Sequence, residues 1–129
     1  MAEAEDIISK GHPPMADKVL LVDFDGTIAP FGYLFDFPEP LPGAIEALKN
    51  FKEAGYKVII FTSRLSPIWL ESVGQTFSQH VEYITNYLGK YGFTPDGLTA
   101  QKVPSEAIID DKAIRFDNNW SEISTRLTG

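Results

Sequence analysis

A short stretch at residues 19–27, VLLVDFDGT, constrains the fold of this chain more than any other. Its four consecutive aliphatic residues indicate a strand buried on both faces, which is typical of a central strand in a parallel sheet. Asp23 and Asp25 are two residues apart, so in an extended chain both carboxylates point to the same side of the strand. Gly26 lets the backbone turn directly after them. Two such acids repel each other unless a cation lies between them, and Mg²⁺ prefers oxygen ligands of this kind. The ordinary alternative for Asp-Gly is a solvated turn.

The rest of the chain alternates between strand and helix patterns. Strands are predicted at residues 56–61, 97–100, 106–109 and 113–116, and helices at residues 42–54, 67–73, 76–91 and 119–127. In the longest helix, the predicted apolar stripe consists of Phe77, Val81, Ile84 and Leu88. Strands that alternate with helices predict right-handed crossovers and a Rossmann-like α/β fold, a doubly wound parallel sheet with helices on both faces.

Residues 28–42 contain four prolines, which exclude a helix. Within this segment Phe31, Tyr33, Phe35 and Phe37 alternate, which predicts a hairpin or an extended flap. These aromatic rings have two alternative roles, packing under the loop or contact with the substrate, and the sequence does not decide between them.

Composition narrows the class of protein. With 129 residues the chain has room for one domain, predicted at residues 18–129 after a flexible N-terminal extension at residues 1–17. A net charge of −7 disfavours sequence-independent binding of nucleic acid through a basic face. The absence of cysteine excludes disulfides and thiol catalysis. No apolar run is long enough to span a membrane, and there is no signal-peptide pattern, so we expect a cytoplasmic protein.

Histidine and tryptophan give no independent signal of a site. His12 and His80 lack partners at metal-ligand spacing, and both are predicted to be solvated. Trp69 and Trp120 are predicted to lie in the core or in an interface rather than against a substrate.

The carboxyl ends of parallel strands meet at one edge of a sheet. That edge is therefore predicted to collect side chains from three strands, namely Asp23, Asp25, Thr62, Asp110 and Asp111. The order D-x-D-G-T after a strand, threonine after a second strand, a lysine, and Asp-Asp after a later strand resembles the four motifs of the haloacid dehalogenase (HAD) superfamily. The resemblance covers residues 18 to 120.

This resemblance implies phosphoryl transfer through an aspartyl phosphate. Asp23 would be the nucleophile, while Asp25 would protonate the leaving oxygen and then deprotonate the attacking water. Mg²⁺ would be bound by Asp23, the backbone carbonyl of Asp25 and Asp110, with Asp111 as a further ligand or an orienting residue.

The resemblance also implies a set of phosphate-binding groups. The Thr62 hydroxyl and the Gly26 backbone amide would donate to phosphoryl oxygens. Thr27, Ser63 and Arg64 are the further substrate-binding candidates, and the guanidinium of Arg64 suits phosphate and carboxylate. An ion pair on a helix or at the surface is the ordinary alternative for the arginine.

Two residues compete for the role of the third-motif lysine. Lys102 follows the third predicted strand on the catalytic edge, and the sequence KVPSEAIIDD that it begins resembles the K-P-x-A segment of small phage and bacterial members. Lys90 has the longer separation from Asp110 that many members show, but it lies late in a helix that should run to the opposite edge. Lys102 is favoured, and a solvated lysine is the ordinary explanation for either.

Superfamily members usually select substrates with an inserted cap. Here the first insertion point holds only residues 28–39 and the second holds none, which indicates a capless Mg²⁺-dependent phosphatase. An open site suits a phosphoprotein, a nucleic-acid end or a small substrate enclosed by another subunit of a homo-oligomer. The alternatives are a regulatory phospho-ligand module without enzymatic activity and a polynucleotide-end phosphatase, the latter disfavoured by the acidic charge.

Overall fold

The computed structural model describes residues 18–32 and 38–129. The strands and helices follow in the order β1 (Val19–Asp23), α1 (Ala44–Glu53), β2 (Lys57–Phe61), α2 (Pro67–Val73), α3 (Phe77–Lys90), β3 (Gly97–Thr99), β4 (Ala107–Ile109) and α4 (Trp120–Thr128). A 3₁₀ turn at Ser63–Leu65 connects β2 to α2. The predicted N-terminal extension and most of the predicted aromatic flap lie outside the described residues.

The four strands form one parallel sheet in the order β3-β2-β1-β4. The central strand is β1, whose residue Leu21 is completely buried, as the aliphatic run predicts. In the register of the sheet Asp23 pairs with Phe61, and Val22 pairs with Ile109. Because the strands are parallel and in this register, the residues that follow β1, β2 and β4 share one edge.

Helices flank the sheet, so the predicted Rossmann-like α/β fold is confirmed. Ser66 caps α2, where its side chain accepts a hydrogen bond from the Trp69 amide and Pro67 takes the first helical position. Helix α2 ends at Gly74, whose φ of 69° is left-handed. Thr76 and Gln79 then form a capping box that starts α3. These caps separate α2 from α3 where the sequence predicts the break.

The buried face of α3 differs from the predicted stripe. Phe77 is 51% exposed and Val81 is only partly buried, whereas His80, Ile84, Tyr87 and Leu88 are buried. The ring of Tyr87 packs edge-on against Phe24 with 5.5 Å between centroids, and its hydroxyl donates to the Pro38 carbonyl. The buried face of α3 is therefore rotated relative to the predicted one and includes a histidine and a tyrosine. The spacing of apolar residues alone does not indicate that these two side chains are buried.

The fifth predicted strand, residues 113–116, is not a strand. Its neighbour β4 has only three residues, and Ile109 at its end is 37% exposed. Such a short, exposed edge offers few ladder hydrogen bonds to a further strand. The C-terminal helix forms as predicted, but no residue of α4 is buried, and Trp120 is 71% exposed.

The helices are short relative to a bilayer. The longest in the described part of the chain, α3, has 14 residues, against about 20 needed to span the hydrocarbon core. Among the described residues no helix is both long and apolar enough to cross a membrane.

Candidate active site

Three acidic side chains converge at the carboxyl edge of the sheet. Asp23 ends β1, and Asp110 and Asp111 directly follow β4, the neighbouring strand. Each offers a carboxylate oxygen, and these oxygens lie within 4.8 Å of one another. Residues that are far apart in the sequence thus form one oxygen-rich cluster. Of the four acids predicted at this edge, the cluster contains these three, whereas the carboxylate of Asp25 pairs with Arg64.

The electrostatics of the cluster favour a cation. The pKa of Asp23 is raised from 3.8 to about 6, first by burial and then by a side-chain hydrogen bond with Asp111 and by the nearby charge of Asp110. Three carboxylates this close are mutually repulsive when ionised, whereas a bound divalent cation would favour their ionised form. Hard oxygen donors in a small cluster fit Mg²⁺. The residues present therefore fit the ion that the motifs imply.

We expect Asp111→Asn to stabilise the metal-free protein. The substitution removes one charge from the cluster, and relief of about 1 kcal/mol of repulsion corresponds to a rise in Tm of about 3–5 °C. Thermal unfolding in EDTA measures this change. Added Mg²⁺ should raise Tm strongly in the parent protein and less in the variant, because the variant has lost a ligand. An unchanged Tm in EDTA would contradict the repulsion.

The change in folding stability with pH, measured by thermal unfolding in EDTA, has a predicted direction. Folded Asp23 keeps its proton up to a pH of about 6, whereas in an unfolded chain its pKa is close to 3.8. In EDTA its contribution to folding stability should therefore fall as the pH rises from about 4 to 6. Saturating Mg²⁺ should abolish this fall, because the ion favours the ionised carboxylate.

Gly26 sets the close approach between the first motif and the acids after β4. Its φ of 80° is left-handed, and a β-carbon at this position would lie 2.5 Å from Oδ2 of Asp111. Its backbone amide, a predicted phosphate donor, donates here to the Ala29 carbonyl at 2.6 Å. The Thr27 hydroxyl donates to Oδ2 of Asp23 at 3.3 Å, which orients the predicted nucleophile.

The substitution Gly26→Ala should therefore weaken metal binding as well as folding. The left-handed φ costs about 1–2 kcal/mol, and the displaced Asp111 carboxylate should lower Mg²⁺ affinity by about 10- to 100-fold. Gly74→Ala is the matched control, because its φ of 69° is also left-handed but nothing lies within 4 Å of the added carbon. Calorimetric Mg²⁺ titration of both variants separates backbone strain from the clash. Equal Mg²⁺ affinities would contradict the predicted role of Gly26.

Asp25 is held by an arginine in the 3₁₀ turn that follows the neighbouring strand, β2. Nε of Arg64 donates to Oδ2 of Asp25 at 2.6 Å, and an Nη atom donates to Oδ1 at 2.9 Å. The same Nη atom donates to the Gly32 carbonyl at 2.7 Å. The arginine side chain is 4% exposed and the aspartate side chain 18% exposed. Arg64, a predicted substrate ligand, thus contacts the predicted general acid and the loop after the first motif.

A buried shell surrounds the guanidinium of Arg64. Its Cζ atom lies 5.4 Å from the Trp69 ring centroid and 5.9 Å from that of Phe24. His80 is fully buried, with Nε2 3.5 Å from an Nη atom, so the prediction of a solvated histidine is wrong. Burial first and then the charge of Arg64 lower the pKa of His80, which favours the neutral imidazole.

The remaining predicted substrate ligands follow β2. Thr62 is buried, its amide donates to the Thr99 carbonyl at 2.9 Å, and its hydroxyl accepts from the Arg64 amide at 3.1 Å. Within residues 18–32 and 38–129, this hydroxyl donates no hydrogen bond of its own. Ser63 is exposed at the start of the 3₁₀ turn. Both residues lie at the carboxyl edge, as predicted.

The two predicted lysines lie near different ends of the sheet. Lys102 is exposed and follows β3 at the carboxyl edge. Lys90 ends α3 just before β3 begins, and its Nζ lies 5.9 Å from the Tyr91 ring centroid.

A third lysine, Lys112, was not among the predicted site residues. Its amide donates to Oδ1 of Asp110, and its Nζ lies 4.9 Å from the Phe31 ring centroid. The sequence signal that could have identified Lys112 as a site residue is its position directly after Asp-Asp.

Together the fold and the site agree with what the sequence resemblance to the HAD superfamily implies for the placement of the motif residues. The D-x-D-G-T motif ends the central strand, threonine follows one neighbouring strand, and Asp-Asp follows the other. The residues that carry the sequence resemblance thus meet at one edge of the sheet.

Comparison with solved structures agrees with this fold. A conserved protein of Bacteroides thetaiotaomicron matches with a TM-score of 0.57 and 19% identity over 84% of this chain and 88% of that one. A D,D-heptose bisphosphate phosphatase of B. bronchiseptica, complexed with magnesium and phosphate, has a TM-score of 0.42 and 17% identity over 86% of this chain and 64% of that one. No protein-family model matches the chain, and no curated protein is similar in sequence. The first match shows a shared fold.

Proposed function

We propose that this protein is a capless HAD-type phosphatase, a Mg²⁺-dependent phosphomonoester hydrolase that acts in the cytoplasm through an aspartyl phosphate on Asp23. The observation that carries the proposal is the cluster of Asp23, Asp110 and Asp111, whose carboxylate oxygens lie within 4.8 Å of one another. Its position at the end of the D-x-D-G-T strand supports phosphoryl chemistry rather than a surface patch of acids.

In the proposed reaction Asp23 attacks phosphorus, so a carboxylate oxygen–phosphorus bond forms and the bond to the leaving oxygen breaks. Asp25 gives its proton to the leaving oxygen. In the second step Asp25 takes a proton from water, which attacks the phosphorus and releases Asp23. Both oxygens of Asp25 accept hydrogen bonds from Arg64, so protonation of one oxygen requires one of these bonds to open.

The other predicted residues bind and neutralise the phosphoryl group. The Thr62 hydroxyl is proposed to donate to a phosphoryl oxygen, and Lys102 to provide the third-motif charge. Mg²⁺, held by Asp23, Asp110, Asp111 and the Asp25 carbonyl, would supply charge neutralisation and alignment of the phosphate. Ser63 is proposed to contact the substrate at the mouth of the site.

A regulatory phospho-ligand module is the second candidate function. Such a module also needs a phosphorylated aspartate and a metal site, but it gains nothing from an acid two residues further along. The presence of Asp25, fixed by two hydrogen bonds, favours the hydrolase. A polynucleotide-end phosphatase is a narrower form of the same proposal, disfavoured by the net charge of −7.

The test is phosphate release from an aryl phosphate such as p-nitrophenyl phosphate, in Mg²⁺ and in EDTA. We expect turnover in Mg²⁺ that EDTA abolishes and that added Mg²⁺ restores. Mg²⁺ binding detected by thermal shift, with no turnover and a long-lived acyl phosphate, would instead support the regulatory module. The lifetime of the phosphoprotein after acid quenching distinguishes the two functions.

A further inference from the structure

A small cavity opens beside Asp25 and extends between the loop after β1 and helix α2. Its volume is about 250 Å³. The walls include two aromatic rings, one aliphatic side chain, one hydroxyl and one ion pair, contributed by Phe31, Trp69, Val73, Ser63 and the Asp25–Arg64 pair. Trp69 therefore borders a cavity, where the sequence predicts a core or interface residue.

The position of Asp25 defines what this cavity would receive. This step rests on the proposed function, in which Asp25 protonates the leaving oxygen. The group attached to that oxygen must then extend from Asp25, away from the carboxylate cluster formed with Asp23. The cavity that Asp25 lines is thus the place for the leaving group.

The two charged side chains in the cavity wall form an ion pair with each other. Among the lining residues that the structure describes, the charged ones are Asp25 and Arg64, which form two hydrogen bonds with each other. Arg64 also donates to the Gly32 carbonyl. A second phosphate or a carboxylate on the leaving group would have to compete with Asp25 for the guanidinium. The wall therefore disfavours an anionic leaving group.

Size and wall chemistry favour a ring. A volume of 250 Å³ is below the range of about 300–1,000 Å³ typical of pockets for drug-sized ligands, so it suits a single ring system. Phe31 is 61% exposed, with Nζ of Lys112 4.9 Å from its ring centroid, and Trp69 is partly buried, so both present aromatic surface that a planar ring could cover. Ser63 supplies one hydroxyl to a polar substituent.

We infer that the cavity bordered by Phe31, Trp69 and Val73 binds an uncharged planar ring carried by the leaving group of the phosphomonoester substrate. The same chemistry could come from an aryl or arylmethyl phosphate or from the base of a nucleoside monophosphate. In the first case the ring is next to the ester oxygen, and in the second a sugar separates them.

Hydrolysis of matched alcohol phosphates tests this specificity. Benzyl phosphate should have a kcat/KM at least about 10-fold above those of cyclohexylmethyl, 4-carboxybenzyl and glycerol phosphates, because it alone offers an uncharged planar ring to the aromatic side chains of the wall. Phe31→Ala should reduce the preference for benzyl over glycerol phosphate about 10-fold. Phe77→Ala, another exposed phenylalanine but outside this cavity, should leave the preference unchanged. Equal kcat/KM values for benzyl and glycerol phosphates would overturn the inference. Nucleoside monophosphates, tested in parallel, distinguish the two sources of the ring.

A binding measurement separates this inference from the proposed function. The chain has two tryptophans, so Trp120→Phe leaves Trp69 as the single tryptophan, which can be excited selectively over tyrosine. Benzylphosphonate, which cannot be hydrolysed, should change the emission of Trp69 with saturation, and ethylphosphonate should not. Saturable benzylphosphonate binding without hydrolysis of any phosphate would leave the cavity assignment standing and overturn the phosphatase. Hydrolysis with no preference for a ring, and no response of Trp69, would do the reverse.

Discussion

Asp23→Asn should reduce Mg²⁺-dependent phosphate release by about 10³-fold or more. An amide oxygen is a poor nucleophile toward phosphorus, and the substitution also removes one of the three carboxylates that could hold the ion. The variant should fold, because the carboxylate it replaces is partly buried beside other acids, and its pKa is raised to about 6 by burial first and then by those neighbours. Its Tm in EDTA is therefore expected to equal or exceed that of the parent protein.

The measurement is phosphate release from p-nitrophenyl phosphate at saturating Mg²⁺, with Tm recorded on the same samples. Asp117→Asn is the matched control, since Asp117 is an exposed acid in the segment before α4 and lies outside the carboxylate cluster. The control should retain parental activity. Parental activity in Asp23→Asn, with the variant folded, would exclude covalent catalysis by Asp23.

The sequence predicts the scaffold of this site because sheet geometry leaves little freedom. Once residues 19–22 are identified as a buried parallel strand, the following acid must lie at the carboxyl edge. The same reasoning places Asp110 there from the apolar residues of β4. Main-chain direction is enough for this step, and side-chain conformation is not needed.

Side-chain pairing is what the sequence could not predict. Arg64 follows Thr62 in a 3₁₀ turn, and only the direction of that turn sends the guanidinium to Asp25 rather than to solvent. The burial of His80 depends on the same arginine and on the Trp69 ring, 4.8 Å away between centroids. A hydrophobic period defines a helix face only to within about one residue, which explains the misplaced stripe of α3. The predicted fifth strand is absent for a similar reason. Strand propensity does not show whether a neighbouring strand is available for pairing.

Arg64→Met should be the most destabilising single substitution in the site. It leaves Asp25 without the two hydrogen bonds that its carboxylate accepts from the guanidinium, and the aspartate side chain is only 18% exposed. Breaking a buried pair from one side costs about 3–5 kcal/mol, which should appear in urea unfolding as a lower midpoint with an unchanged slope. Arg64→Lys should recover part of this loss, because it keeps the charge but not the planar fork.

A double-mutant cycle with Asp25→Asn shows whether the ion pair is the cause. If Arg64 acts by holding Asp25, adding Arg64→Met to Asp25→Asn should cost about 2–3 kcal/mol less than it does in the parent protein. The remaining cost reports the other contacts of Arg64, with the Gly32 carbonyl and the Trp69 ring. Activity should follow the same logic: Arg64→Met should lower kcat in the parent protein and change it little once Asp25 has been replaced. Additive free energies of unfolding, together with equal losses of kcat in both backgrounds, would show that Arg64 acts independently of Asp25, as a substrate ligand would.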